Sequence, residues 1–355
     1  MVKNSRAEKL AGLAGDSGVD SLLIAELTNL RYVSGFTGTN GACLVGPENR
    51  TFFTDFRYTD RAAAEVEGFE IEIVSGDWLA GLAGFFQGKV GIEDDHLTVR
   101  TVNKLEEAAG DGVELVHCGG QVEALRRVKE PDEIERIAAA AELTDSLYHE
   151  IMERGLISRT EAEIGAFAVA RMREQGAEPS FPPIVASGPN GASPHAEPGP
   201  RVVGKHELVT IDMGAILDGY CSDCTRTFAT GMLDEKAAEI YEVTLAANEA
   251  GLKAVRPGAV AADVDAAARD LIKEAGYGEY FGHGLGHGVG LEVHEAPRLG
   301  ARSKDVLAAN EVVTVEPGIY ISGFTGVRIE DLVVVGEDGI DQNLSTVSKA
   351  LTYID

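Results

Sequence analysis

Five side chains in the C-terminal two-thirds of the sequence have the types needed to hold hydrolytic metal ions: Asp212, Asp223, His287, Glu316 and Glu330. Asp212 and Asp223 lie in β-rich runs joined by Leu217-Asp218-Gly219. A hairpin centred there is expected to set them opposite each other, with Cβ atoms about 5 Å apart. Carboxylates so close repel unless a cation or a proton lies between them. A chance pair of aspartates, with Asp218 only a turn residue, is the plainer alternative. Glu316 interrupts the apolar run Val312-Val-Thr-Val, where a glutamate is costly to bury unless paired or metal-bound. Glu330 invites the same comment, with an ion pair to Arg328 as the competing explanation. Four carboxylates and one imidazole form an oxygen-rich set that suits Mn²⁺ and tolerates Co²⁺ or Zn²⁺. Five groups are too many for one catalytic zinc and about right for two ions sharing bridging carboxylates.

The segment Phe281-Gly-His-Gly-Leu-Gly-His-Gly-Val-Gly-Leu-Glu-Val-His-Glu collects His283, His287 and His294, three of the eight histidines. Although His283 and His287 have helical i, i+4 spacing, so many glycines argue for a tight loop or strand. Cys221-Ser-Asp-Cys224 has the spacing of zinc and redox pairs. Alternation along a strand sends the two thiols to opposite sides, so both are read as small buried residues.

The elements that must position these groups alternate along the chain. Before Val122, β-rich runs at Ser21–Ala25, Ala42–Val45, Thr51–Thr54, Glu70–Val74 and Lys89–Ile92 interleave with helical patterns at Ala7–Ala14, Tyr58–Val66 and Val102–Ala109, which predicts an α/β domain. Pro131, followed by acidic residues, opens a long helix, and the domain boundary is placed between residues 126 and 127. Beyond Thr160, helices are expected at Glu161–Gln175, Asp234–Val255 and Ala262–Ala275. Strands are expected at Leu208–Met213, Tyr220–Phe228, Val312–Ile321 and Val327–Val335, giving an α+β domain around a curved antiparallel sheet.

Acidic residues outnumber basic ones 58 to 31, and the net charge of −27 repels nucleic-acid phosphates and anionic lipid, so neither is an expected partner. Four cysteines do not make a disulfide framework, the start of the chain has no signal-peptide pattern, and no apolar run is long enough to cross a membrane. A cytoplasmic enzyme is expected.

The ligand order Asp, Asp, His, Glu, Glu, set in Ile211-Asp-Met-Gly, His283-Gly-Leu-Gly-His-Gly and Glu316-Pro-Gly-Ile-Tyr, resembles the pita-bread metallopeptidases. The first 120 or so residues, with Arg31-Tyr-Val-Ser-Gly-Phe-Thr-Gly-Thr-Asn-Gly, look like the N-terminal domain of the aminopeptidase P and prolidase branch. Ile184-Val-Ala-Ser-Gly-Pro-Asn-Gly-Ala-Ser-Pro-His looks like the family segment that supplies a substrate-binding histidine, His195.

The resemblance implies a two-domain chain of residues 1–126 and 127–355, the second a pita-bread domain, assembled at least as a homodimer. It implies that Asp212 holds one ion, His287 and Glu316 the other, and that Asp223 and Glu330 bridge them. Glu316 would carry the proton, His294 would stabilise the oxyanion, and His195 and His283 would contact the residue after the scissile bond. Arg328 has the parity to share a face with the ligands, as support for the carboxylates or as a plain ion pair. The implied substrate is a peptide with proline in second position, cut by an Xaa-Pro aminopeptidase or, as the alternative, an Xaa-Pro dipeptidase. A metal-free binding protein or a creatinase-like enzyme on the same fold is the remoter reading.

Overall fold

The computed structural model describes residues 5–355, and the chain divides into two compact units, up to Arg126 and from Arg127 onward. In the first unit, strands β1 (Ser21–Ile24), β2 (Ala42–Val45), β3 (Arg50–Thr54), β4 (Glu70–Ile73), β5 (Gly88–Ile92) and β6 (Val113–His117) form one sheet in the order β4-β3-β2-β1-β5-β6. It mixes parallel and antiparallel pairs. Helices α1 (Ser5–Asp16), α2 (Leu27–Ser34), α3 (Thr59–Glu65), α4 (Trp78–Ala83), α5 (Val99–Ala109) and α6 (Gln121–Arg127) accompany it. The α/β pattern is as expected. Strand β6 and helices α2, α4 and α6 escape the sequence reading because their apolar residues are few or their span is short.

In the second unit, helices α7 (Pro131–Arg154) and α8 (Glu161–Glu174) precede strands β7 (Glu178–Pro179), β8 (Ile184–Ser187), β9 (Leu208–Met213), β10 (Ala215–Leu217), β11 (Tyr220–Cys221) and β12 (Cys224–Ala229). Helices α9 (Glu235–Ala254) and α10 (Ala261–Glu274) then precede β13 (Gly286–Gly288), β14 (Glu295–Leu299), β15 (Val312–Val315), β16 (Gly318–Ile321), β17 (Thr325–Arg328), β18 (Asp331–Val335) and β19 (Ile340–Asn343). Every strand pair here is antiparallel. Pro131 opens α7, and the Glu133 carboxylate accepts the Glu130 N–H at 2.9 Å, so the first turn has a side-chain acceptor for a free donor.

Two long hairpins organise this unit. The first turns at Asp218-Gly219, both with positive φ (48° and 85°), as a two-residue turn with Asp-Gly requires. The second joins β15–β16 to β17–β18. Helices α7 and α8 cover the first with Leu147, Tyr148, Ile151, Ile164 and Met172 packed on Val209, Ile211 and Phe228. Helices α9 and α10 cover the second with Ile240, Ala247, Val264 and Ile272 packed on Val313, Val315, Val327 and Val333. Burying these apolar faces, at about 25 cal/mol per Å², is the main drive that holds each hairpin to its helices.

Candidate metal centre and active-site cleft

Both hairpins are interrupted, and three of the four carboxylates, Asp223, Glu316 and Glu330, sit at the interruptions. In the second, Val315 pairs with Asp331 and Gly318 with Arg328, so Glu316 and Glu330 fall at opposite positions in the gap between two sheets. In the first, Met213 pairs with Cys224 and Ile216 with Cys221, which leaves Asp223 in the gap across from Gly214. The expected continuous strands at Tyr220–Phe228, Val312–Ile321 and Val327–Val335 are each two strands. A break frees the local backbone from the ladder and lets the side chain turn inward.

The expectation that Asp212 opposes Asp223 is corrected by this register. Asp212 lies opposite Thr225, because the turn holds two residues and is closed by Leu217 and Tyr220. A shift of two keeps side-chain parity, so the aspartates remain diagonal neighbours on one face. Likewise Glu330 does not pair with Arg328. The Arg328 Nη2 donates to Asp212 Oδ2 at 2.6 Å, its Nε to Thr225 Oγ1 at 2.9 Å, and its Nη1 to Tyr320 OH at 2.9 Å and Pro194 O at 3.2 Å. Thr225 in turn donates to Glu330 Oε2 at 2.8 Å. One arginine thus braces one carboxylate directly and another through a hydroxyl. Cys221 and Cys224 form no disulfide among the described residues, are buried and lie in different core clusters.

His287 sits at a bulge in β13, between Gly286 and Gly288. A Cβ at either glycine would run into the backbone of Thr314 or Ala296, so only glycine lets the neighbouring strands close on this histidine. Its Nδ1 faces the Gly288 carbonyl at 3.1 Å, which suits an N–H at Nδ1, while Nε2 faces the carboxylates, as a proton donor without a cation and as the ligand nitrogen with one. Nε2 lies 3.3 Å from Glu316 Oε1 and 3.6 Å from Asp223 Oδ2. The Thr314 hydroxyl accepts the His287 N–H at 3.1 Å and lies 3.4 Å from Glu316 Oε1, linking these two groups.

The electrostatics ask for a cation. Burial first, then the charges of Glu330, Asp212 and Glu316, push the Asp223 carboxyl well above its usual range, and burial with Glu316 and Asp212 does the same to Glu330. Burial also raises Asp212. At Glu316 burial acts upward but is outweighed by the His287 hydrogen bond and charge, so its pKa falls. Ligand atoms of Asp223, His287 and Glu330 all lie within 4.8 Å of one another, and Asp212 Oδ1 is buried with no hydrogen-bond partner among the described residues. Converging, desolvated oxygens with an orphaned lone pair fit divalent cations well.

These groups line a cleft of about 670 Å³ together with His195, His283, His294, Phe181, Pro182, Pro183 and Pro194. His195 and His294 are exposed on its wall, and the His294 ring meets that of His287 edge-on with centroids 4.4 Å apart. Desolvation, then the neighbouring His287, lowers the His294 pKa to about 4. His283 has both ring nitrogens engaged: Nδ1 faces Gly284 O at 2.8 Å and Nε2 faces Tyr320 OH at 2.9 Å. It therefore offers the cleft only its carbon edge.

One cleft group, and one residue that braces the cleft histidine His283, were not singled out from sequence. Arg298, exposed on β14, projects into the cleft with no ion pair of its guanidinium among the described residues. Tyr320 joins His283 to Arg328 and is signalled only by its place in Glu316-Pro-Gly-Ile-Tyr.

Interrupted antiparallel hairpins around a buried carboxylate–histidine cluster, preceded by a separate α/β unit, define a two-domain pita-bread hydrolase. Residues 135–337 match the model of metallopeptidase family M24, and residues 6–128 match the creatinase/prolidase N-terminal domain. The chain belongs to metallopeptidase family M24 and is a metallopeptidase. It is similar to the Xaa-Pro dipeptidase from Bacillus anthracis, at 39% identity and a TM-score of 0.95 over 98% of this chain and 99% of that one. The Xaa-Pro dipeptidase of Pyrococcus furiosus is 34% identical over 98% of this chain and 99% of its own. The X-Pro aminopeptidase structure from Thermotoga maritima matches with a TM-score of 0.91 and 35% identity over 99% and 100% of the two chains.

Proposed function

We propose that this metallopeptidase is an Xaa-Pro dipeptidase, hydrolysing the bond between an N-terminal residue and a C-terminal proline. This reverses the order of the two activities that the sequence resemblance favours. The observation that carries the dipeptide length is Arg298, whose guanidinium has no acidic partner among the described residues, in the same cleft as Glu316 and the three histidines. In a dipeptide the terminal carboxylate follows the proline ring directly, and a guanidinium fork matches a carboxylate. Likeness to the Bacillus and Pyrococcus dipeptidases supports the same reading.

Asp212, Asp223, His287, Glu316 and Glu330 would hold two divalent cations, Mn²⁺ first with Co²⁺ or Zn²⁺ as alternatives, which when bound polarise the carbonyl and lower the pKa of the attacking water. Glu316, beside His287, carries the proton from that water to the leaving nitrogen, which has no N–H of its own. His294, neutral at pH 7, donates to the developing oxyanion. His195 and the carbon edge of His283, with Pro194 and Phe181, hold the proline ring. Assembly at least as a homodimer and a cytoplasmic location belong to the same reading, and light scattering tests the first.

The second reading, an Xaa-Pro aminopeptidase for longer peptides, is favoured by likeness to the Thermotoga maritima X-Pro aminopeptidase. Comparing Ala-Pro, Ala-Pro amide and Ala-Pro-Ala in the wild type and Arg298→Ala separates the two. A dipeptidase prefers Ala-Pro, and Arg298→Ala erases that preference by about ten- to a hundred-fold, the size of a hydrogen bond to a charged group. Preference for Ala-Pro-Ala that ignores Arg298 would make it an aminopeptidase.

A further inference from the structure

On the side of the second hairpin away from the cleft, Asn248 of α9 is fully buried. Its Nδ2 donates to Val315 O at 2.8 Å and to Ile329 O at 3.3 Å. Those two carbonyls belong to the residues immediately before Glu316 and Glu330. The amide has two hydrogens, and the two carbonyls take one each. Its Oδ1 accepts from Lys349 Nζ at 2.8 Å, and because that ammonium only donates while the carbonyls only accept, the amide has one possible orientation.

Lys349 continues to Asp331 Oδ2 at 2.6 Å, and Asp331 Oδ1 takes Arg226 Nη2 at 2.9 Å. Arg226 also donates to the Glu330 carbonyl. The interruption that frees Glu316 and Glu330 from the ladder is therefore bridged from behind by one side chain, which the chain of Lys349, Asp331 and Arg226 holds in place. Where the ladder between Val315–Asp331 and Gly318–Arg328 is broken, little else ties the two backbones together: Ile329 N reaches Pro317 O only at 3.4 Å.

We propose that Asn248 is a positioning residue that fixes the spacing of Glu316 and Glu330 across the hairpin break. The inference rests on the reading that these glutamates hold metal. Asn248→Asp keeps size and the Lys349 partner but sets oxygen against two carbonyl oxygens. Asn248→Leu removes the bonds with similar volume. Thr244→Val, one turn earlier on α9 and equally buried, perturbs the same helix without touching either carbonyl.

The test is Mn²⁺ titration of each purified full-length protein, following free Mn²⁺ by electron paramagnetic resonance well below each variant's Tm, alongside kcat and KM for Ala-Pro. The wild type is expected to bind two ions. Both Asn248 variants are expected to lose about ten- to a hundred-fold in affinity for at least one ion, the usual effect of removing groups that orient ligands. Their kcat should fall more than KM changes, and Thr244→Val should bind like the wild type. If the Asn248 variants do not fold, Lys349→Met, which releases the amide's orientation and leaves Asp331 to Arg226 alone, carries the same expectation at smaller size. Wild-type affinity in folded Asn248→Leu or Lys349→Met overturns the proposal, as does an equal loss in Thr244→Val. A wild type that binds no ion overturns the metal reading instead.

Discussion

Arg328 Nη2 and Asp212 Oδ2 are 2.6 Å apart, both residues are buried, and they come from segments 116 residues apart in sequence. The same guanidinium holds Thr225 and, through it, Glu330, while its other arm reaches Tyr320 and the loop carbonyl of Pro194. One cation therefore ties both interrupted hairpins and the His195 loop together. Arg328→Met is expected to cost the metal-free protein about 3–5 kcal/mol, because it strands a buried carboxylate. Arg328→Lys should rescue little, since a single ammonium cannot span four partners. Chemical denaturation in chelator measures both, and equal stability of all three proteins would contradict the role.

Asp223 and Glu330 repel each other and their acidic neighbours in a desolvated site. Asp223→Asn should therefore stabilise the chelated protein by about 1 kcal/mol, which raises Tm by about 2–4 °C at this domain size. The same substitution should abolish most of the stabilisation that Mn²⁺ gives the wild type, about 2.7 kcal/mol at a hundred times Kd. Calorimetry with and without metal reads both; a chelated variant less stable than the wild type would mean that the carboxylates are not frustrated.

Tyr148 of α7 places its hydroxyl 2.9 Å from Ile211 O and 2.7 Å from Cys224 O, the carbonyls next to Asp212 and Asp223. Tyr148→Phe leaves these buried acceptors without that donor and should cost about 1–3 kcal/mol. Thermal unfolding tests it, and an unchanged Tm would remove Tyr148 from the account.

Glu161, fully buried at the start of α8, accepts from Ser187 N at 2.8 Å, Ser187 Oγ at 2.7 Å, Asn190 Nδ2 at 3.0 Å and Gly199 N at 3.3 Å. These bonds pin both ends of the loop that presents Pro194 and His195 to the cleft. Glu161→Gln should raise KM for Ala-Pro several-fold while two ions still bind. Loss of metal binding with KM unchanged would show that Glu161 serves the hairpins and not the loop.

The candidate ligands stand out in the sequence because an acid inside an apolar β-run is costly, and because glycines crowd His287. Helix α7 was legible from Pro131 and the acids after it. The breaks at Asp223, Glu316 and Glu330 were not, since strand propensity continues through Val312–Ile321 and only pairing across two sheets reveals the gap. The two-residue slip at Asp212 came from the turn: setting Asp212 opposite Asp223 needs the reversal at Leu217-Asp218, whereas it falls one residue later at Asp218-Gly219, where positive backbone φ, which residue type alone leaves open, places it. Asn248, Tyr148 and Glu161 carry no motif, because each acts on backbone carbonyls or N–H groups supplied by distant segments. Arg298 looked like any strand-edge arginine until the cleft put it beside the histidines.

The central claim is a metal-dependent dipeptidase, and the most direct test is release of the first residue from Ala-Pro, Ala-Pro-Ala and Ala-Ala, with Mn²⁺ and with chelator, followed by mass spectrometry. The account predicts rapid cleavage of Ala-Pro that chelator abolishes and Mn²⁺ restores, with the other two peptides cut slowly or not at all. Ala-Pro left intact by protein shown to carry two ions, or cut equally well in chelator, would contradict it.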